Sequence, residues 1–243
     1  MRAILMAAGV GSRISRHVDK PKSTLEVDGI PLIRRTVDML TSEGIEVAVV
    51  IGFMGDRIRD ALEGCDVRFY ENPFYRVTNS MASLWFARDF LVDDDTILAN
   101  ADVFWGNGLL DRLISEDEDI VMLADESRVE VGDYFFDVHD GLLTGYGKEL
   151  PLESRTTEYV GMAMLKGGVV PEFRRHLEEM VSQGKYDLWW ENVLYEHILE
   201  NPVHVRDVSD LFWAEIDYID DYARILDYVR TGDLSVKVRT EKI

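Results

Sequence analysis

The sequence contains one cysteine, Cys65, among its 243 residues. A single cysteine cannot form an intramolecular disulfide, which excludes a disulfide-stapled secreted scaffold. The sequence also lacks an N-terminal signal-peptide pattern and any apolar run long enough to span a membrane. From these absences we expect a cytoplasmic protein without a membrane partner.

Basic residues are scarce compared with acidic ones. The chain has 26 lysines and arginines against 46 aspartates and glutamates, which gives a formal net charge of -20. A field of this sign repels phosphate polymers and anionic lipid surfaces, so a nucleic-acid partner is not expected. An anionic small substrate would have to be met by local cations and by a metal ion.

An apolar stretch, Ala3–Ala7, leads into a glycine loop that is followed by Arg13 and Lys22. Glycines let backbone N–H groups approach phosphate oxygens closely. The two cations suggest separate tasks, because a guanidinium forks across two oxygens whereas an ammonium is a compact point charge. The pattern predicts a triphosphate site. Its predicted nucleotide contacts are Ala7, Ala8, Gly9, Gly11 and Ser12.

Two other nucleotide loops fit this spacing poorly. A dinucleotide fingerprint requires a third glycine where this chain has Ile14. A Walker loop requires Gly-Lys-Ser/Thr, but Ser12 and Arg13 follow Gly11 here. A plain strand-to-helix turn would also use glycines. Such a turn, however, does not explain why Arg13 and Lys22 follow the glycines.

Three segments, Leu5–Arg13, Lys20–Lys22 and Leu25–Leu32, together resemble the signature of the sugar-phosphate and alcohol-phosphate nucleotidylyltransferases. The resemblance implies an enzyme that joins a nucleoside triphosphate to a phosphorylated small molecule and releases pyrophosphate. It also implies an α/β fold of the nucleotide-diphospho-sugar transferase type. That fold is a Rossmann-like three-layer α/β/α sandwich with a mixed, mainly parallel sheet.

Apolar, strand-like runs alternate with helix-like segments, which is typical of an α/β domain. With 47% apolar residues the chain can bury one core, so we expect a single domain over 1–232 and a tail at 233–243. The predicted strands are Ala3–Ala7, Val47–Gly52, Val67–Tyr70, Thr96–Ala99, Ile120–Ala124, Tyr134–Val138, Gly161–Leu165 and Val203–Val208. The predicted helices are Pro31–Glu43, Gly55–Leu62, Met81–Asp89, Gly108–Ser115, Pro171–Gln183 and Leu188–Leu199.

Asp102 comes directly after a buried-type strand, at the edge of the sheet where ligands of such folds bind. Asp217 lies in a segment that resembles the late metal motif of the same family. The resemblance implies that these two carboxylates hold Mg²⁺ against triphosphate oxygens. Acids at strand ends can instead be solvated or capping residues. Asp220 and Asp221 are interpreted that way, as residues at a helix start.

Small polar residues cluster before the predicted helix Met81–Asp89. Asn79, Ser80 and Ser83 can simply cap that helix. The same stretch resembles the family loop that contacts the base and ribose. This resemblance makes the three residues candidates for nucleotide binding.

The strongest indication of the second substrate, the phosphorylated small molecule, comes from Trp189, Trp190 and Glu191. Adjacent tryptophans on a helix cannot share one face, so one can pack into the core while the other lines a pocket. Aromatic faces with a nearby carboxylate suit an ammonium group. Core packing is the alternative for each tryptophan taken singly.

The Trp-Trp-Glu-Asn run and the stretch 78–84 resemble the phosphocholine cytidylyltransferases. This implies CTP as the nucleotide, with UTP still open, and phosphocholine as the acceptor. Aminoethylphosphonate and sugar phosphates remain as alternative acceptors. Tyr134, Tyr159 and Glu215 are further candidates for the acceptor pocket. Lys148 is a candidate for the acceptor phosphate, although a surface lysine on a hairpin is the ordinary interpretation.

These roles imply an in-line attack of the acceptor oxygen on the α-phosphorus of CTP. Arg13 would hold the leaving phosphates, Lys22 the α-phosphate, and Mg²⁺ on Asp102 and Asp217 would bridge them. A non-catalytic nucleotide sensor is the alternative outside enzymes. A related glycosyltransferase would present an acid-any-acid motif, which Asp102-Val103-Phe104 lacks. A homodimer is left open.

Overall fold

The computed structural model describes residues 1–11 and 19–233. The strands of this part of the chain are β1 (Arg2–Ala7), β2 (Glu26–Val27), β3 (Ile30–Pro31), β4 (Glu46–Ile51), β5 (Val67–Glu71), β6 (Thr96–Asn100), β7 (Val103–Trp105), β8 (Ile120–Asp125), β9 (Phe135–His139), β10 (Leu142–Gly147), β11 (Thr157–Leu165), β12 (His204–Asp207) and β13 (Trp213–Glu215). The helices are α1 (Leu32–Ser42), α2 (Gly55–Ala61), α3 (Ser80–Phe86), α4 (Leu109–Ile114), α5 (Val170–Ser182), α6 (Asn192–Tyr195) and α7 (Ile219–Thr231).

A nine-stranded sheet organises the fold, in the order β5-β4-β1-β6-β11-β8-β12-β10-β9. The pairs β5/β4, β4/β1, β1/β6 and β8/β12 are parallel. The pairs that involve β10 and β11 are antiparallel, so these two strands run against the rest. The sheet is therefore mixed, as predicted, and the α/β class is confirmed.

Alternating residues of the central strands pack into two separate cores. On β1, Ile4 and Met6 belong to a cluster that includes Leu84 of α3. Leu5, the residue between them, belongs to a second cluster that includes Val37 of α1. Because successive side chains of a strand point to opposite faces, both faces of the sheet are covered by helices. This burial explains the nearly continuous apolar runs of the central strands.

Most predicted elements are found within a few residues of their expected bounds, but the helix predicted for Leu188–Leu199 is wrong. Only Asn192–Tyr195 of that stretch is helical. The preceding backbone bonds to another part of the chain: the N–H of Met81 donates to the carbonyl of Leu188 at 3.1 Å. The N–H of Trp190 donates to Ser80 Oγ at 2.9 Å. These bonds to the start of α3 replace the bonds of a helical turn.

The short strands β7 and β13 form a two-stranded ribbon, with Val103 paired to Glu215. One further bond extends it, from the N–H of Ile216 to the carbonyl of Asp102 at 2.9 Å. The ribbon thus brings Asp102 and Asp217, which are far apart in sequence, to one end. At its other side, Trp213 Nε1 donates to Asp125 Oδ2 at 2.8 Å, which fixes the ribbon to β8.

None of the helices in the described part of the chain has the length and apolar character that crossing a lipid bilayer requires. The single domain over 1–232 stays a prediction. Residues 234–243 of the predicted tail lie outside the described residues.

Gly106 offers a test of the ribbon, because a Cβ at this position would lie 2.3 Å from the carbonyl oxygen of Phe212. We expect Gly106→Ala to lower the free energy of unfolding by about 1–3 kcal/mol, the usual cost of overpacking. Chemical denaturation of the variant and the wild type measures this difference in unfolding free energy. Gly168→Ala is the matched control, since nothing lies within 4 Å of its added Cβ. Equal stability of the two variants would contradict close packing of the ribbon.

Candidate active site

The glycine loop lines a cavity of about 420 Å³ at the carboxyl end of β1. Ala7, Ala8, Gly9 and Gly11, four of the residues predicted to contact a nucleotide, all contribute to its wall. Gly11 has a φ of +63°, and a Cβ there would lie 2.8 Å from Cε of Lys22. The backbone conformation therefore favours glycine, and any side chain here would displace that of Lys22.

Ser12 and Arg13, also predicted for this loop, lie outside the described residues. Their assigned contacts with the nucleotide stay predictions.

Lys22 lies between the two predicted metal ligands. Its Nζ is 2.5 Å from Asp217 Oδ1 and 3.3 Å from Asp102 Oδ2. Burial by itself would lower the pKa of Lys22, but the two carboxylates outweigh burial and raise it. The lysine is therefore a permanent cation at the cavity wall. The sequence predicted each of the three residues for the site but not their mutual contact.

Glu215 adds a third carboxylate beside this pair. Its pKa is raised well above the ordinary value, first by burial and then by the negative charges of Asp102 and Asp217. Carboxylate oxygens are the ligand type that Mg²⁺ prefers, and one oxygen of each aspartate faces the Lys22 ammonium between them. The donor set of Asp102 and Asp217 therefore fits the predicted metal.

Asp221 supports Asp217 from the first turn of α7. One of its carboxylate oxygens accepts from the backbone N–H of Asp217 at 3.1 Å and of Tyr218 at 2.8 Å. The other accepts from Arg224 at 3.0 Å. The helix-start interpretation of Asp220 and Asp221 is confirmed. Asp221, which is buried, additionally holds the backbone that carries a metal-ligand candidate.

Asn79, Ser80 and Ser83 line the same cavity, and of the three only Asn79 is the N-cap of α3. Asn79 Oδ1 accepts from the N–H of Ser80 at 2.8 Å, so capping is confirmed for Asn79. Asn72, fully buried, donates to Thr78 Oγ1 and to Ser83 Oγ, each at 3.0 Å. The sequence analysis missed this role of Asn72. Its position directly after β5, in front of a proline, was the available signal.

A second cavity of about 240 Å³ adjoins the first. The two share the lining residues Asn100, Trp189, Glu215 and Asp217. Its wall contains Lys148 and every predicted acceptor residue except Trp190. The members that the sequence analysis missed are Asn100, Asp133, Glu158, Gly161 and Tyr195.

Tyr134 is the centre of the aromatic wall. Its ring meets that of Trp189 edge-on, with the centroids 5.6 Å apart, and stacks on Tyr195 at 6.0 Å. Lys148 Nζ lies over the Trp189 ring, 5.0 Å from the centroid. The ring faces of this cavity are thus within reach of a cation, and one cation already contacts them.

The two tryptophans separate as the sequence suggested: one enters the core and the other lines a pocket. Trp189 is 39% exposed and Trp190 is fully buried. As a substrate-binding residue Trp190 is a misassignment, because it lines neither cavity. Its Nε1 instead donates to Asn100 Oδ1 at 3.0 Å, so it positions a residue that does line both.

Glu191 is 6% exposed and accepts a hydrogen bond from Asn100 Nδ2 at 3.3 Å. Burial raises the pKa of Glu191 to about 7. Glu158, by contrast, is paired with buried Arg128 and accepts from the N–H of Asp133 at 2.8 Å. Arg128 thus balances the charge of Glu158, whereas Glu191, with a pKa of about 7, can gain negative charge when a cation enters this cavity.

The chain belongs to the family of the MobA-like NTP transferase domain, whose model matches residues 3–197. It is thus a member of a nucleotidyltransferase family.

Several relatives are cytidylyltransferases. The chain is 32% identical to the CTP:phosphoglutamine cytidylyltransferase of Campylobacter jejuni, over 91% of this chain and 97% of the relative. It is 28% identical to the CMP-5'-(3-aminopropyl)phosphonate synthase of Streptomyces rubellomurinus, over 89% of this chain but only 37% of that longer protein.

Among solved structures, the chain is similar to CTP:phosphocholine cytidylyltransferase from Streptococcus pneumoniae. The TM-score is 0.79 at 20% identity, over 94% of this chain and 98% of that one. At this identity the likeness supports the fold alone.

The raised pKa of Glu191 predicts a pH dependence of stability. Between pH 4.5 and about 7 the folded chain holds this proton more tightly than the unfolded chain does. The stability contributed by Glu191 is therefore present at low pH and is lost as pH rises through about 7. We expect the unfolding free energy of the wild type, minus that of Glu191→Gln, to fall over this range.

Urea denaturation at a series of pH values measures this difference. Exposed Glu153→Gln is the control and should follow the wild type at every pH. A difference between wild type and Glu191→Gln that is constant with pH would refute the role given to Glu191.

Proposed function

We propose that the chain transfers the cytidylyl group of CTP to a phosphate or phosphonate oxygen of a small acceptor that bears an ammonium group. The observation that carries the proposal is the direct adjacency of two different cavities. The first cavity, which we call the nucleotide cavity, is lined by a glycine loop, a lysine and two aspartates. The second, which we call the acceptor cavity, is lined by tyrosines, a tryptophan and buried carboxylates.

The chemistry requires no protein nucleophile, since the acceptor oxygen is already anionic. A bond forms between this oxygen and the α-phosphorus, and the bond from the α-phosphorus to the bridging oxygen breaks. The electron pair leaves with pyrophosphate. The task of the protein is to hold two repelling anions in line and to stabilise the charge that develops between them.

Lys22 is suited to that second task, because its side chain is only 11% exposed and lies at the wall of the nucleotide cavity. Asp102 and Asp217 are the residues that would hold Mg²⁺, which when bound supplies positive charge to phosphate oxygens. Arg13 keeps its proposed role at the departing phosphates.

The acceptor would place its ammonium among Tyr134, Trp189 and Glu191, where ring faces and a carboxylate are combined. Lys148, in the same wall, would contact the acceptor phosphate. Phosphocholine is the acceptor we propose first, because a methylated ammonium relies on ring faces rather than on hydrogen-bond acceptors.

A second acceptor, 2-aminoethylphosphonate, is favoured by the number of oxygen acceptors in this cavity. A primary ammonium carries three N–H donors. Glu191, Glu215 and the tyrosine hydroxyls of Tyr134 and Tyr159 offer oxygens to receive them. The relative that makes an aminopropylphosphonate product gives this candidate independent support.

A panel of acceptors tests the function. The full chain is mixed with Mg²⁺ and either CTP or UTP, and pyrophosphate release is measured with phosphocholine, 2-aminoethylphosphonate, phosphoethanolamine, glycerol phosphate and glucose 1-phosphate. We expect release with CTP and an ammonium-bearing acceptor. Release with glucose 1-phosphate alone would overturn the ammonium assignment. Nucleotide binding without any release would favour a sensor.

Lys22→Ala tests the proposed stabilisation of charge. We expect turnover to fall by about 10²–10³-fold, the usual effect of removing one donor to a developing negative charge. Nearby Lys20→Ala is the matched control and should keep its activity. Circular dichroism establishes that both variants are folded. Near-normal turnover of Lys22→Ala would remove this residue from the mechanism.

A further inference from the structure

Two histidines and two glutamates gather on the surface formed by α5 and the turn that follows α6. His176 and Glu172 are one helical turn apart on α5, and His176 Nε2 lies 3.9 Å from Glu172 Oε1. From the second segment, Glu200 Oε2 approaches the same nitrogen to 3.8 Å. The His197 ring stacks on that of His176, with centroids 3.5 Å apart.

The hydrogen bonds of the two imidazoles indicate which nitrogen of each ring carries no proton. His197 Nδ1 is 2.8 Å from the carbonyl oxygen of Val193, which can only accept, so this nitrogen carries the proton. His176 Nε2 is 2.7 Å from Nη2 of Arg175, which can only donate, so His176 Nε2 is unprotonated. Burial, His197 and Arg175 lower the pKa of His176, in agreement with a neutral ring.

A cation already occupies this place. The Arg175 guanidinium contacts His176 Nε2 and also donates to Glu172 Oε1 at 3.2 Å. Its side chain is 52% exposed and is shared with Glu179, so the guanidinium can withdraw toward solvent while keeping a partner. One ligand atom from each of His176, His197 and Glu200 lies within 4.8 Å of the other two. Because the two rings are stacked with an angle of 6° between their planes, the His176 ring would have to turn, as Arg175 withdraws, for both nitrogens to meet one ion.

We propose that His176, His197 and Glu200 form a binding site for a divalent transition-metal ion of the Zn²⁺ type. Neutral imidazole and carboxylate ligands suit Zn²⁺, whereas Mg²⁺ prefers oxygen ligands alone. The bond from His197 Nδ1 to a backbone carbonyl is the outer-shell contact that orients a histidine ligand. The site would therefore be chemically distinct from the pair Asp102 and Asp217.

Such an ion would fasten α5 to the segment 192–200. Tyr195 of this segment lines the acceptor cavity, and Glu191 directly precedes it. The metal ion would thus stabilise the backbone behind the acceptor cavity without touching the cavity itself. This role predicts that Zn²⁺ raises the unfolding temperature of the chain.

Isothermal titration of the full chain with Zn²⁺, in excess Mg²⁺, tests the site. We expect His197→Gln and Glu200→Gln each to weaken one binding event by at least about tenfold. Glu200 is 67% exposed, so its substitution keeps the test valid if His197→Gln should unfold. Arg175→Ala, which removes the competing cation, should bind Zn²⁺ as tightly as the wild type or more tightly.

His204→Gln is the matched control, because His204 also lies near a glutamate, Glu118, but in another part of the molecule. It should bind Zn²⁺ like the wild type, and Zn²⁺ should raise its unfolding temperature equally. Zn²⁺ should leave the unfolding temperature of His197→Gln unchanged. Identical isotherms for the wild type, His197→Gln and Glu200→Gln would overturn the proposal.

Discussion

The contact of the Lys22 ammonium with Asp102 and Asp217 is the interaction on which the rest of the site depends. It joins three remote parts of the chain: the segment after the glycine loop, the end of β6 and the end of β13. A buried charge that loses its partner is costly, so each member constrains the other two. The ribbon of β7 and β13, together with Asp221, supplies the backbone support that makes this meeting possible.

The electrostatics of the site differ from those of the molecule as a whole. The chain carries a formal net charge of -20, yet a permanent cation is held at the nucleotide cavity. The neighbouring cavity combines Lys148 with the carboxylate of Glu191 and the ring faces of Tyr134 and Trp189. A reactant with an anionic end and a cationic end would therefore find a partner for each end there. This combination is the physical basis of the proposed acceptor class.

Features encoded by neighbouring residues could be predicted from the sequence, whereas contacts between remote segments could not. Period and composition predicted the central strands, and the glycine loop and Asp102 could be located because their signals lie within a few residues. The ribbon could not be foreseen, since β7 and β13 are three residues each and are defined only by one another. The site role of Asn100 was missed for a similar reason. In the sequence it is simply the residue at a strand end, and only the fold brings Trp190 and Glu191 into hydrogen-bonding distance of it. The predicted helix from Leu188 failed because Ser80 and Met81 compete for its backbone bonds.

Different segments of the chain line the two cavities, and this bears on how related proteins can differ in their substrates. The glycine loop and the start of α3 line the first cavity, whereas residues 133–134, β11 and the segment 186–195 supply most of the lining of the second. Under the proposed function, substitutions in the second group would therefore change which small molecule is accepted and leave the phosphate chemistry intact. The names of two relatives refer to different acceptors, phosphoglutamine and an aminopropylphosphonate, as such a variation of substrate would produce. The acceptor wall is thus the natural target for engineering new head-group preference into this scaffold.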